Sequence, residues 1–466
     1  MVDTLRNRRT FLKALGATGL SLAAPFPSRA EAGPTRPNFV VIFVDDLVYR
    51  AVGYNNPVVK TPNLDALAHD GIIFNYAYVA SPICVASRAS IMTGLFPQQH
   101  GSVALDATGF RQNVVERKRY RTFAQDLADA GYVTAYCGKS HLGSPLDYGF
   151  TTGAEHKAYD DQDTFAAAGE FLQAQRGKSD PFLLWVAPNQ PHVPLLPAQE
   201  WLDLYRGAAI QVDPNFEEEP PDGSIYNQGR PGERYYRDSG YKRNYKDLPA
   251  GPPRSQEEMY HFIHAYYATI SHLDHQIGVF IKHLKESGLY ENSLIFFLAD
   301  NGYHLGNHGL GNKITMHEES VRVPMFVHGS ALATRGVRAN ALVSTVDMYP
   351  TLLDLAGIKP PDQLAGVSLK PVLEDPRAQV REYVASECVG VGGTVGQGHR
   401  MVRTLDWKYV LTDINEEALF DETVDHYEMR NVADSGMNRA VLQTLRKNMA
   451  EWMDRVGDQH KRPPDA

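Results

Sequence analysis

Apolar residues along the chain follow two patterns, one typical of buried strands and one typical of helices. Four continuous apolar runs, rich in β-branched and aromatic residues, have the length of strands that are buried on both faces. They are residues 38–44, 132–137, 182–187 and 294–299. Between residues 256 and 287 apolar side chains recur every three or four positions, which predicts one long helix that Gly288 ends. The alternation of such strands with helices predicts an α/β fold.

Weaker patterns extend this outline toward the C-terminus. Helices are predicted near residues 61–68, 122–130 and 347–355, and a further strand at 323–327. After about residue 378 the chain changes to short strands separated by turns, which predicts a small antiparallel sheet with a closing helix. These strands are at 382–385, 400–404 and 408–411. We therefore expect a large domain of residues 33–377 and a C-terminal α+β subdomain of residues 378–466.

One long stretch has no clear periodicity. Residues 205–255 are rich in proline, glycine, tyrosine and charged side chains. We expect a long surface excursion there, since loops of this length are often functional, and a disordered insert is the alternative.

The N-terminal residues have the pattern of an export signal. Paired arginines, Arg8 and Arg9, precede an apolar run from Ala14 to Pro25 and a small-residue end at Ala30-Glu31-Ala32. We expect residues 1–32 to be a cleaved twin-arginine signal, because the apolar run is too short to span a membrane. An amphipathic surface helix is the alternative. The expected location is the periplasm or the exterior of a bacterium, with no membrane span after cleavage.

Composition excludes few classes of protein. The 466 residues carry a formal net charge of -9, which argues against a nucleic-acid binder. The three cysteines, Cys84, Cys137 and Cys388, are too few for a disulfide framework.

Polar side chains follow each of the four buried strands, where a core would not accept them. They are Asp45 and Asp46, Lys139 and His141, His192, and Asp300 with Asn301. Ligands of open α/β sheets bind beyond the carboxyl ends of the strands, so these ends together predict one site. Taken singly, the adjacent aspartates are equally well explained as a turn or a helix cap, and a lone histidine as a surface or core residue whose hydrogen bonds are satisfied.

The residue types at these ends divide by chemistry. Three carboxylates and an amide oxygen are hard donors, suited to Ca²⁺ or Mg²⁺ rather than to zinc. The cationic and imidazole side chains match a tetrahedral oxyanion ester, because they neutralise charge and offer protons to a leaving oxygen. This second set is Arg88, Lys139, His141, His192 and Lys313. Sulfate and phosphate esters both fit it.

A cysteine stands near this set at the predicted start of a helix. Ser81 and Pro82 interrupt the preceding run, Cys84 follows, and Arg88 lies about one helical turn further on. Helix N-termini favour anions, so the pair suggests a nucleophile that faces a negatively charged substrate. The alternative is a buried free cysteine near a surface arginine.

The segment Cys84-Val85-Ala86-Ser87-Arg88, followed by Thr93-Gly94, resembles the motif of type I sulfatases, which belong to the alkaline phosphatase superfamily. Other segments resemble the remaining sulfatase motifs in the family's order: residues 44–46, 138–143, 191–194 and 300–302. The sequence differs from the common pattern at Ala86, where proline is usual, and at Ser140, where tryptophan is common.

The resemblance implies an alkaline-phosphatase-like fold with a large mixed, mostly parallel sheet flanked by helices. It also implies that a formylglycine-generating maturation enzyme converts Cys84 to formylglycine, whose hydrate is the nucleophile. By the same likeness, modified Cys84 would bind Ca²⁺, in preference to Mg²⁺, together with Asp45, Asp46, Asp300 and Asn301.

The roles of the other residues also come from the resemblance. Arg88 and Lys139 would steady the hydrate and the sulfate, and His141 would take the proton that returns the aldehyde. His192 and Lys313 would hold sulfate and serve the leaving alcohol.

The expected function is therefore the hydrolysis of a sulfuric ester. Residues 312–324 resemble a segment of sulfatases that act on sulfated sugars, which favours a saccharide substrate. An arylsulfatase, or a phosphomonoester or phosphodiester hydrolase of the same superfamily, is the alternative. A more remote alternative is a non-catalytic sugar-binding protein in which Cys84 stays unconverted.

Overall fold

Strands in the described part of the chain form one eight-stranded sheet, one four-stranded sheet and one two-stranded ribbon. The computed structural model describes residues 36–102, 120–221, 224–226, 255–388, 398–460 and 462–464. The strands, in chain order, are β1 (Asn38–Val44), β2 (Gly71–Tyr78), β3 (Val133–Gly138), β4 (Thr152–Ala154), β5 (Phe182–Ala187), β6 (Ser293–Ala299), β7 (His304–Leu305), β8 (Gly311–Asn312), β9 (Met325–His328), β10 (Val337–Ser344), β11 (Val384–Cys388), β12 (His399–Arg403), β13 (Trp407–Thr412) and β14 (Glu417–Asp421).

The large sheet has the order β10-β2-β9-β6-β1-β5-β3-β4. Neighbouring strands are parallel except that β9 runs antiparallel to both β2 and β6. Strands β1, β5 and β6 are buried along their whole length, as continuous apolar runs require. The prediction of a mixed, mostly parallel sheet in an α/β fold is confirmed.

Helices flank the large sheet, and the last one packs against the C-terminal sheet. Those described are Pro62–His69, Cys84–Thr93, Pro97–His100, Phe123–Asp129, Gln162–Gln175, Gln199–Asp203, Gln256–Glu286, Glu318–Val321, Met348–Leu355, Lys370–Glu374 and Arg439–Val456. The long predicted helix is Gln256–Glu286, and its apolar face is buried. Helix Gln162–Gln175 was not predicted, because its small residues and Gly169 give only a weak apolar period.

The C-terminal sheet has the order β11-β12-β13-β14, with every pair antiparallel. The predicted antiparallel sheet is thus confirmed, and β14 adds a strand that the sequence pattern did not indicate. Helix Arg439–Val456 contributes Met449 and Trp452 to a core that includes Tyr409 and Leu419 from the sheet. The Trp452 ring meets Phe96 edge to face, with centroids 5.3 Å apart, so this core continues into the first half of the chain.

The stretch expected to be a surface excursion is only partly of that kind. Its described residues are 205–221 and 224–226, and Tyr205, Asn215 and Tyr226 among them are buried. The Tyr205 hydroxyl lies 2.7 Å from Ser271 Oγ, and Tyr226 Oη accepts a hydrogen bond from the Met316 amide at 2.8 Å. The expectation is wrong for these residues, because their polar atoms find partners inside the protein. The rest of the stretch lies outside the described residues, as do residues 1–35, which include the predicted signal.

Among the described helices, none combines the length and the apolar character that a membrane crossing requires.

Candidate active site

The register of the large sheet brings the predicted strand ends to one edge. Val44 pairs with Ala299 at the ends of β1 and β6, and Gly138 pairs with Ala187 at the ends of β3 and β5. All four strands point the same way, so the residues that follow them emerge side by side. This edge is where an open α/β sheet binds its ligands.

Backbone contacts fix the turn that carries the two adjacent aspartates. Asp46 has a left-handed φ of 57°, and its carbonyl accepts a hydrogen bond from Tyr266 Oη at 2.5 Å. The Asp300 amide donates to Val44 O at 3.0 Å, and the Leu47 amide donates to Asn301 O at 3.1 Å. The ends of β1 and β6 are therefore locked together at the position of their carboxylates.

Cys84 is the first residue of helix Cys84–Thr93, directly after the extended Ile83. Arg88 lies one turn along and reaches three acceptors, all in the interior. Its guanidinium donates to Asp300 Oδ2 at 2.9 Å, to Asp45 Oδ2 at 3.0 Å and to the Lys139 carbonyl at 2.8 Å. Its side chain is only 1% exposed. Arg88 is thus the centre of a buried ionic network.

Two lysines complete the positive charge. Lys139 forms an ion pair with Asp45, and Lys313 forms one with Asp46. Lys313 Nζ also lies 2.8 Å from Cys84 Sγ. The neighbours of Lys313, Asn312 and Ile314, both have positive φ values, of 65° and 77°. A β-branched residue rarely adopts this conformation, and such outliers concentrate at functional sites.

The two predicted histidines lie at the rim of this cluster. His192 Nε2 is 3.6 Å from Asp46 Oδ2, and the side chain is 25% exposed. His141 has a φ of 61° and its amide donates to Glu155 Oε1 at 3.4 Å. Burial lowers the pKa of both rings and Lys139 lowers it further, while Asp46 acts in the opposite direction on His192 without offsetting burial, so both imidazoles favour the neutral form near pH 7.

The structure therefore brings together every side chain singled out in the sequence. A family model described as Sulfatase matches residues 37–358, more than half of the chain. The chain belongs to the sulfatase family. A second model, described as N-sulphoglucosamine sulphohydrolase, C-terminal, matches residues 306–455 of this sulfatase.

Known proteins resemble this sulfatase over nearly its whole length. The ulvan-active sulfatase of Formosa agariphila is 27% identical, covering 92% of this chain and 83% of its own. A solved structure in complex with its substrate, D-glucosamine-2-N,6-O-disulfate, has a TM-score of 0.78 at 24% identity, covering 91% of this chain and 99% of its own. The phosphonate monoester hydrolase of Silicibacter pomeroyi has a TM-score of 0.76 at 22% identity, covering 91% and 96%. The predictions of family, fold and enzyme class are confirmed.

Charges in the sulfatase site balance before any ligand is bound. Three carboxylates, those of Asp45, Asp46 and Asp300, face Arg88 and the two lysines. Burial alone would raise the pKa of Asp45, but the charges of Lys139, Arg88 and Lys313 hold it well below its usual range. Burial and the neighbouring Asp45 raise the pKa of Asp300 to about 7. The carboxylate of Asp300 is therefore repelled by that of Asp45, and an added cation would relieve this repulsion.

Oxygen atoms of the site fit a hard cation. Asn301 Oδ1 is buried and has no hydrogen-bond partner in the described part of the chain. Ligand atoms of Asp45, Asp46, Cys84 and His192 all lie within 4.8 Å of one another, a spacing that could hold a metal ion. Carboxylate and amide oxygens favour Ca²⁺ or Mg²⁺.

A second acidic group serves as a contrast. Glu318, Glu422 and Glu428 also lie close together, but Lys408 Nζ is between them, 2.8 Å from Glu318 and 2.6 Å from Glu428. This group already has its cation.

Sequence reasoning missed the residues that hold the site in place. Tyr266 occupies an apolar position of the long helix, and nothing in the sequence shows that its hydroxyl reaches Asp46. Asp161 and Glu155, which bind the loops of His192 and His141, also stood outside any recognisable pattern.

We expect Arg88→Met to destabilise the sulfatase strongly, because it removes the ion pair of the buried Asp300 and one of the ion pairs of the buried Asp45. Breaking a buried ion pair from one side costs about 3–5 kcal/mol. Urea unfolding in the presence of a chelator measures this loss. The exposed Arg206, changed in the same way to Met, is the control and is expected to leave stability unaltered. A similar stability for Arg88→Met and the wild type would contradict the buried network.

Proposed function

We propose that this sulfatase hydrolyses sulfate esters of saccharides and that Cys84, converted to formylglycine, supplies the nucleophile. One observation carries this proposal. Cys84 begins a helix, and its Sγ lies 2.8 Å from Lys313 Nζ and 3.7 Å from Asp45 Oδ1, on the carboxylate that also accepts a hydrogen bond from Arg88. The position suits a reacting group that must meet both an anion and a metal ion.

The unmodified thiol is poorly suited to react. Burial and the adjacent Asp45 raise the pKa of the Cys84 thiol well above its usual range. A thiol that keeps its proton is a weak nucleophile. The hydrate of formylglycine would supply an oxygen nucleophile in its place, which is why the maturation enzyme is the expected partner.

Asp45, Asp46, Asp300 and Asn301 would hold Ca²⁺ together with the modified Cys84. The unpartnered Asn301 Oδ1 and the raised pKa of Asp300 support this assignment. When bound, the cation would act as a Lewis acid that favours the ionised form of a hydroxyl beside it.

Cationic side chains would bind the sulfate group. Lys139 and Lys313 would face its oxygens, and Arg88 would hold the carboxylates in place behind them. The charges of these three side chains are already neutralised by the three carboxylates of the site. A divalent cation would therefore add the positive charge that attracts an anionic substrate.

The histidines would move protons. His141 is neutral near pH 7, the form that a general base requires. His192 Nδ1 lies 2.5 Å from Val193 O, a contact that directs Nε2 toward Asp46 and the reacting groups. His192 and Lys313 would together serve the oxygen of the departing alcohol.

A saccharide is the preferred substrate class. The similar proteins include an ulvan-active sulfatase and a structure with a disulfated glucosamine as its substrate. Export by the twin-arginine signal to the periplasm or the medium would bring the enzyme to such substrates. A simple aryl sulfate is the alternative within the same reaction class.

Hydrolysis of a phosphate or phosphonate ester is the second candidate, because the phosphonate monoester hydrolase has the same fold. Comparing 4-nitrophenyl sulfate with 4-nitrophenyl phosphate keeps the leaving group constant. We expect kcat/KM to favour the sulfate at least about tenfold, since the chain belongs to the sulfatase family. A reversed preference would assign the site to phosphoryl chemistry.

We expect conversion of Cys84 to be visible as a change in mass. In protein made with a formylglycine-generating enzyme, the tryptic peptide that contains Cys84 should be about 18 Da lighter than its cysteine form, because an aldehyde replaces the thiol. Cys84→Ala should lower kcat by at least about 10⁴-fold while the unfolding temperature stays near that of the wild type. Cys388→Ala is the matched control and should keep both activity and conversion. Full turnover by the unmodified thiol would refute the nucleophile.

We expect Ca²⁺ to stabilise the protein through Asp300 and Asn301. At a concentration of 100 Kd a bound ligand adds about 2.7 kcal/mol to the free energy of unfolding. Thermal unfolding with Ca²⁺ or with chelator measures this gain without any substrate. Asp300→Ala should abolish the difference, whereas Glu422→Gln, in the acidic group that Lys408 occupies, should retain it. An equal response of both variants would place the cation elsewhere.

A further inference from the structure

A segment of residues 155–161 connects the two loops that carry His141 and His192; we name it the bridging segment. On the His141 side, Glu155 Oε1 accepts hydrogen bonds from the Ser140 amide at 3.3 Å and from the His141 amide at 3.4 Å. The His156 amide donates to Gly138 O at 3.2 Å. One end of the segment is thus fixed to the loop that follows β3.

The other end of the bridging segment is fixed to the loop that follows β5. Asp161 is 1% exposed, and its carboxylate accepts hydrogen bonds from the Asn189 amide at 2.7 Å and from the Gln190 amide at 2.8 Å. Asn189 Nδ2 donates to Ala158 O at 3.1 Å, and Gln190 Nε2 donates to Tyr159 O at 2.8 Å. These bonds hold the backbone on both sides of Tyr159 against the loop that leads into His192.

Tyr159 presents its ring at the rim of the site. The side chain is 38% exposed, although its backbone carbonyl is held by Gln190. Its ring centroid lies 6.3 Å from that of His192, with the planes at 33° to one another. His192 in turn approaches Asp46 with Nε2. A partly exposed aromatic ring therefore adjoins His192 at the rim of the site.

We propose that Tyr159 forms the binding surface for the sugar ring that carries the sulfate. Aromatic rings offer a large apolar face, and the C–H face of a pyranose can pack against it with favourable dispersion contacts. The lysines and the cation would take the sulfate, and His192 would meet the bridging oxygen, so the sugar would lie next to His192, within reach of the neighbouring Tyr159 ring. This assignment of Tyr159 rests on the proposed function, because it uses the role proposed for His192 toward the leaving alcohol.

The hydrogen bonds that fix the bridging segment determine whether a sugar contact at Tyr159 would affect KM or kcat. A ring held on a fixed backbone is pre-organised, so it contributes to the binding of the sugar in the ground state and the transition state alike. Uniform binding of this kind changes KM and leaves kcat nearly constant. A residue that merely supported His192 would change kcat instead.

The test compares Tyr159→Ala and Tyr159→Phe with the converted wild-type enzyme. The substrates are a panel of monosulfated hexoses and hexosamines that includes D-glucosamine 6-sulfate, with the released sulfate measured by ion chromatography. For the best substrate we expect Tyr159→Ala to raise KM about 5- to 20-fold with kcat within about twofold, and Tyr159→Phe to stay within about threefold in both. Val424→Ala, at a side chain 80% exposed, is the control for a general surface effect and should match the wild type.

Each other outcome has a distinct meaning. A lower kcat with unchanged KM in Tyr159→Ala, or no change in either constant, overturns the sugar contact. A wild type that cleaves 4-nitrophenyl sulfate but none of the sugar sulfates also overturns it, while sulfatase activity stands. A wild type with proven formylglycine that cleaves no sulfate ester overturns the proposed function itself.

Discussion

The site depends on the ion pairs between Arg88 and the two aspartates that directly follow β1 and β6. Asp45 and Asp300 come from adjacent strands, and their carboxylates are buried beside one another. Two such charges without a partner would destabilise the folded protein by several kcal/mol. Arg88 occupies both from one helix, and the same helix begins with Cys84. The helix therefore cannot shift without breaking the ionic network, and the position of Cys84 follows from that of Arg88.

A balance of charge explains why this sheet edge can be both buried and reactive. The carboxylates and the cations of the site offset one another, yet the balance is uneven. The pKa of Asp45 is held low by its cations, while that of Asp300 is raised to about 7 by burial and by Asp45. The buried acceptor Asn301 Oδ1 adds a further unsatisfied group. These features fit a site that a positive ion would complete.

The C-terminal sheet takes part in shaping this edge. Lys408 on β13 donates to the Met316 carbonyl at 3.0 Å and pairs with Glu318 at 2.8 Å. Both acceptors follow Lys313 closely in the segment between β8 and β9, Met316 in the loop and Glu318 at the start of helix Glu318–Val321. That loop holds Lys313 between residues of positive φ, a conformation that needs support from its surroundings. The C-terminal sheet, which was predicted as part of a separate α+β subdomain, is thus packed against a segment that reaches Cys84.

The sequence by itself determined those strands and helices whose own pattern of apolar residues identifies them. Strands β1, β5 and β6 are evident as continuous apolar runs, because a strand buried on both faces needs apolar residues at every position. Helix Gln256–Glu286 is evident from its periodic apolar residues, because a helix buried on one face needs them every three or four positions. The polar residues after these strands, and the motif around Cys84, also indicated the chemistry. Strands β2 and β10 gave no such signal, since each mixes exposed or half-buried positions with buried ones.

Only the tertiary structure decided which of these residues meet and what holds them. Strand β9 runs antiparallel to both of its neighbours, β2 and β6, and no local pattern in the sequence encodes that pairing. The hydroxyl of Tyr266 on Asp46, the carboxylate of Asp161 on the His192 loop and the ring of Tyr159 beside His192 all join segments far apart in the chain. A side chain's type limits the bonds it can make, but its partner depends on which strands lie side by side. That choice is made by the packing of the whole core rather than by the residues on either side of it.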